Sequence, residues 1–219
     1  MLVNEILDQN PIHLLNGGRT EAALKAGEVG VVIAKPGVGK TALLVQLALD
    51  SMLINGPVIH ASIGDPVGKV TIWYDEMLSH LAKRFDGVAL GQLWAQNLHK
   101  RFIMTFMAER FSIAGLEERI SDLSAQNIFS AKVLLLDGLE LSKNNLVSLK
   151  ELAQKLDMAI WVTATAEVDS DFAKELIAES DRSMGLRHTG NYVEVLPFKG
   201  LKDGISLHLD PQSMLVTNN

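Results

Sequence analysis

Short apolar runs alternate along this chain with longer stretches whose apolar residues recur every third or fourth position. The runs at 29–34, 58–63, 102–107, 133–136 and 158–163 predict strands buried on both faces. Helical spacing covers 42–53, 113–129, 146–156 and 172–177, with a further helical stretch near 93–98. The segment 67–85 pulls both ways. Val70, Thr71 and Ile72 favour a strand, yet Val70, Trp73, Tyr74, Met77, Leu78, Leu81 and Phe85 recur at helical spacing. Length and the lack of strict alternation decide for a helix, and Pro66 near its start agrees. Three short alternating segments near 192–196, 205–209 and 214–216 predict an antiparallel hairpin at one sheet edge, turned at Lys202-Asp203-Gly204. Strands alternating with helices predict an α/β fold, a mostly parallel sheet with helices on both faces.

Before the first strand, Glu5, Ile6 and Leu7 suggest a helix or turn, Pro11 a break and Gly17-Gly18 a loop. With no repeat, low-complexity tract or long linker in 219 residues, one domain is expected: a core at 27–216 with an extension at 1–26.

The first strand runs into Ala34-Lys35-Pro36-Gly37-Val38-Gly39-Lys40-Thr41, which fits the phosphate-loop pattern GxxxxGK[ST] with Ala34 in the first glycine position. Strand, glycine loop and helix together give the pattern its meaning. Gly37 and Gly39 let successive N–H groups converge on an anion at a helix N-terminus. Lys40 would reach the β- and γ-phosphates, and the Thr41 hydroxyl would hold Mg²⁺. A second pattern, Val133-Leu134-Leu135-Leu136-Asp137, puts a carboxylate at a strand's C-terminal end, where open α/β sheets bind ligands. Asp137 is therefore the expected second metal group.

The rest of the composition narrows the chemistry. A formal net charge of −6 argues against a generally phosphate-coating surface. With no cysteine, disulfides and thiolate sites are excluded. The six histidines show no metal-ligand spacing, and His60 reads as a hydrogen-bonded interior residue. The start MLVNEILDQN lacks a basic region, and no apolar run approaches the ~18 residues of a membrane span. A cytoplasmic protein away from membranes is expected.

Gly27-Glu28, the AKPGVGKT loop, the run PVIHAS, LDGLEL at 136–141 and the last hairpin with Val193-Glu194-Val195-Leu196 resemble the RecA-like ATPases, in particular the branch of KaiC proteins and DnaB-type helicases. The resemblance spans roughly 27–216, and only the two Walker motifs are specific. It implies a RecA-like P-loop fold, binding of ATP with Mg²⁺, and a ring or filament with ATP between subunits, either a homo-oligomer or a hetero-oligomer with another RecA-like subunit.

Three departures bear on activity. Gly64 stands where the resemblance implies a water-activating glutamate; Asp65 is the nearest substitute, and Glu76 would serve only if 67–74 were the strand. The polar sensor position after the strand at 158–163 offers Thr163 and Thr165, and Thr165 is equally an ordinary strand-ending threonine. Of the two cations implied for the last hairpin, Pro197 replaces one; Lys199 is the other, in trans, with Arg187 a second candidate and a solvated turn lysine the plain alternative. Where the resemblance implies DNA-binding loops, the chain carries Glu167, Asp169, Asp171, Glu175, Glu179 and Asp181 against Lys174 and Arg182. A protein partner fits that charge better than DNA. The expectation is a slow Mg-dependent ATPase in an oligomer. Its alternatives are a non-catalytic nucleotide-binding regulatory or scaffold subunit and a small single-domain DNA motor.

Overall fold

The computed structural model describes residues 12–15, 24–54, 56–202 and 204–218. The expectations at Glu5–Leu7, Pro11 and Gly17-Gly18, and the centre of the 202–204 turn, lie outside the described residues. Helical residues Ile12–Leu15 precede the first strand.

The chain then runs β1 (Val29–Ala34), α1 (Lys40–Ile54), β2 (Val58–Ile63), α2 (Val67–Ala82), α3 (Gly87–Asn97), β3 (Arg101–Phe106), α4 (Ile113–Ala125), β4 (Val133–Asp137), α5 (Lys143–Leu156), β5 (Ala159–Thr165), α6 (Asp171–Glu179), β6 (Arg182–His188), β7 (Val193–Pro197), β8 (Leu207–Leu209) and β9 (Val216–Asn218). The strands form one sheet in the order β3-β2-β4-β5-β1-β6-β7-β8-β9. Pairing is parallel from β3 through β6 and antiparallel from β6 through β9. The fold is the expected RecA-like α/β architecture with an antiparallel C-terminal edge.

Alternation along the strands sorts the core into two layers. Val32, Ala34, Val133, Leu135, Ala159 and Trp161 join α1 and α2 on one face. Val31, Ile33, Leu134, Leu136, Ile160 and Val162 meet α4, α5 and α6 on the other. Helix α1 is buried continuously from Ala42 to Met52, as an almost wholly apolar helix must be. Serine caps start the helices of the opposite face. Ser112, Ser142 and Ser170 accept from the N–H groups of Gly115, Asn145 and Ala173.

Several boundaries differ from the periodicity. Helix α2 stops at Ala82, before Phe85. Helix α3 starts six residues earlier than expected, because Asp86 caps it through Val88 N and Ala89 N despite Gly87 and Gly91. Helix α4 ends at Ala125 rather than 129, and Asn127 then takes a left-handed φ of 55°. The last strand lies two residues later than expected. Asp210 first turns the chain, its Oδ1 accepting from Gln212 N, Ser213 N and Ser213 Oγ. Strand β6 was not expected at all. Gly185 breaks its apolar pattern, yet a Cβ there would come within 2.7 Å of Phe198 and 2.8 Å of Val168.

Candidate functional site

The layer parity decides which side chains meet. Asp137 ends β4 on the α1 face, in register with Ser62 of β2. Leu136 pairs with Val162, so Thr163 stands level with Asp137 one strand away, whereas Thr165 lies level with Ala34 and is exposed. The candidate metal groups are thereby brought together. Thr41 Oγ1 donates to Asp137 Oδ2 at 2.6 Å, and Thr163 Oγ1 donates to Asp137 Oδ1 at 2.8 Å. Gly138 N in turn donates to the Thr163 hydroxyl at 3.2 Å. Gly138 sits at a close approach of β4 to β2, where a Cβ would come within 2.4 Å of Ile63 O.

The loop before α1 has the backbone its glycines permit, with φ of 75° at Gly37 and 108° at Gly39. Ala34 is buried at the end of β1, while Lys35, Pro36 and Gly37 are exposed and Val38 and Gly39 are half-buried. Lys40 Nζ donates to Ala34 O at 3.0 Å and Lys35 O at 3.1 Å, folded back over the loop. Burial lowers the Lys40 pKa from the usual lysine value, and the Asp137 carboxylate pulls it the other way. Lys35 also pairs with Glu167 at 2.5 Å, linking the loop to the segment after β5.

These residues fit a nucleotide phosphate with Mg²⁺. Helix α1 has no acidic residue in its first turn to repel an anion. A lysine on replaceable carbonyls can turn to phosphate, and a hydroxyl and a carboxylate are hard donors of the kind Mg²⁺ takes alongside phosphate and water. Among the described residues no three His, Cys, Asp or Glu side chains cluster to hold a metal unaided. A site of one carboxylate and one hydroxyl relies on the phosphates for the rest.

The other expected residues are elsewhere. Asp65 lies beyond β2 and pairs with Lys69 at 2.9 Å. Gly64 has φ +90° and open space where a Cβ would be. Glu76 is exposed on α2, nine residues past its start at Val67 and so about 14 Å along the helix. Lys199 is exposed in the turn after β7, its Nζ donating to Ala178 O near the end of α6 at 2.7 Å. Arg187 pairs with Glu194 at 2.9 Å and lies 3.9 Å from Asp169.

Sequence reasoning passed over Gln46. Its Nε2 donates to Ala42 O and Met214 O, and its Oε1 accepts from Val216 N. The side chain thus binds β9 as a neighbouring strand would. The same turn packs against the loop, since a Cβ on Gly39 would meet Met214 Cε at 2.6 Å and Leu209 Cδ1 at 2.8 Å. A glutamine inside an apolar helix is the one sequence signal, and it names no partner.

Sheet order, loop and metal groups define a P-loop protein of RecA-like fold. Among 485 solved chains that match it in structure is the ATPase domain of a DnaB-like helicase, with a TM-score of 0.66 and 14% sequence identity, covering 90% of this chain and 86% of that one. So broad a match at so low an identity establishes the fold and leaves the activity to the site. No family model and no curated protein matches the sequence. Among the described residues no helix is long and apolar enough to cross a membrane.

Proposed function

We propose that this chain binds ATP with Mg²⁺ and hydrolyses it slowly, as a subunit of a RecA-like oligomer of the KaiC and DnaB-helicase kind. The observation that carries the reading is the convergence of Thr41, Asp137 and Thr163 beside the Lys40 loop. The loop amides hold the phosphates. Lys40 exchanges its two carbonyl partners for phosphate oxygens. Thr41 and Asp137 hold Mg²⁺, directly or through water, and Thr163 keeps the carboxylate from turning away. Bound Mg²⁺ neutralises the charge that develops on the transferred phosphoryl group. Lys199 would serve a neighbouring subunit's site after release from Ala178 O.

Gly64 favours a second reading, a nucleotide-binding subunit that does not turn over. Nothing longer than Asp65 stands at the end of β2, and Asp65 is engaged by Lys69. A DNA motor fits less well, because the segment after β5 is short and acidic, with Glu167 and Asp169 before α6. A protein partner suits that surface better.

Single-turnover hydrolysis of labelled ATP, with and without single-stranded DNA, separates these readings. Slow turnover that Asp65→Ala lowers further supports the first. Binding without turnover supports the second. Turnover that DNA accelerates supports the motor, and a fast wild type that collapses in Glu76→Ala contradicts the assignment at Gly64.

A further inference from the structure

Behind Asp137, on the α1 face of the sheet, lies a line of buried polar groups that phosphate binding does not use. His60 of β2 is 0% exposed. Its Nδ1 is 3.1 Å from Tyr74 Oη on α2, and the rings meet edge-on at 5.7 Å. The Arg101 guanidinium lies 4.4 Å over the centre of the Tyr74 ring. His60 pairs with Leu135 while Ser62 pairs with Asp137, so His60 and Asp137 are diagonal neighbours on one face. The electrostatics agree: among charged groups, Asp137 acts on His60 more strongly than Arg101 does.

Two atoms in this line are unanswered. His60 Nε2 and Arg101 Nη1 are buried side-chain nitrogens with no hydrogen-bond partner among the described residues. An orphaned buried donor costs about 1–3 kcal/mol and commonly marks an ordered water. The chemistry also has a direction. Burial raises the Tyr74 pKa well above the usual phenol value, so its O–H stays protonated and donates to His60 Nδ1. A neutral imidazole accepting at Nδ1 must carry its proton on Nε2. That free N–H has the right polarity to donate toward a carboxylate.

We infer that His60 is a positioning residue for Asp137: its Nε2–H reaches the Asp137 carboxylate through one ordered water, and the Tyr74 hydroxyl ties it to α2. The inference rests on the reading of Asp137 as a group that holds Mg²⁺. A change of charge at Asp137 is then felt by His60 and passed to Tyr74, which a mere packing pair would not do.

The test is nitrogen NMR of the whole chain with ¹⁵N-labelled histidine, the His60 signal being assigned with His60→Gln. The expected result is the Nε2–H tautomer in the free protein. Its shift should move in Asp137→Asn, and again when Mg²⁺ is added to the ADP complex. Tyr74→Phe, which keeps the ring, should abolish the tautomer preference. It should also weaken Mg²⁺ binding to the ADP complex about tenfold, with metal-free ADP binding hardly moved. A His60 signal indifferent to Asp137→Asn overturns the inference, and that arm needs no ligand. If His60 responds to Asp137→Asn but the chain binds no ADP, the link between the two residues stands and the ATP reading fails.

Discussion

The Thr163 hydroxyl donates to Asp137 Oδ1 across 2.8 Å, from one parallel strand to the next. It accepts from Gly138 N at the same time, so one hydroxyl fixes both a carboxylate and the chain that leaves it. Thr41 holds the other carboxylate oxygen. Asp137 is only 9% exposed and is held at both oxygens in an orientation set by the fold.

Thr163→Val keeps the shape and removes the hydroxyl. It leaves Gly138 N and Asp137 Oδ1 without that partner in a buried setting. A loss of stability of about 1–3 kcal/mol is expected. Thermal unfolding checks this. Titration of Mg²⁺ into the nucleotide complex should show weaker metal binding, while Thr165→Val should leave both measurements near wild type.

Gly64 has φ +90°, a conformation that side chains other than glycine rarely adopt. Restoring a glutamate there therefore strains the turn between β2 and α2 whatever space is open to the side chain. Gly64→Glu and Gly64→Ala should each lose about 1 kcal/mol of stability in a denaturant titration. If the backbone sets the cost, the two losses will be alike. Single-turnover rates should not rise in Gly64→Glu, because a strained corner does not place a carboxylate at hydrogen-bond distance from its water.

The positions of these residues show what the sequence could and could not reveal. The run into Gly37-Val38-Gly39-Lys40-Thr41 and the apolar run into Asp137 are local patterns, and both stand where local chemistry put them. Thr163 was offered together with Thr165, and only the β4–β5 register, Leu136 against Val162, brings Thr163 level with Asp137. Strand β6 was hidden because Gly185 and its charged ends imitate a loop; the reason for that glycine, the approach of Phe198 and Val168, comes from other segments. Gln46 is equally mute in sequence, since its partners Met214 and Val216 lie at the far end of the chain.

Burial pushes the His60 pKa down from 6.5 to about 4, with Asp137 opposing and Arg101 assisting. Between those two values the unfolded chain holds a proton that the folded chain does not, so stability falls as pH falls through that window. The contribution is intact above about 6.5, gone below about 4, and on the order of 3 kcal/mol in all. Denaturant titrations at pH 7 and pH 5 should show a drop in stability that is smaller in His60→Phe. Equal pH dependence in the two proteins would assign the effect to other groups.

The central claim is that the loop from Ala34 to Thr41 binds ATP with Mg²⁺ through Lys40, Thr41 and Asp137. Calorimetric titration of wild type and Lys40→Ala with ATP and Mg²⁺ tests it most directly. Lys40 donates to two loop carbonyls and lies apart from the helix core, so its loss should leave the fold intact. The account predicts saturable binding by wild type that is greatly weakened in a folded Lys40→Ala. Equal affinity in the two proteins, or no binding by a folded wild type, would contradict it.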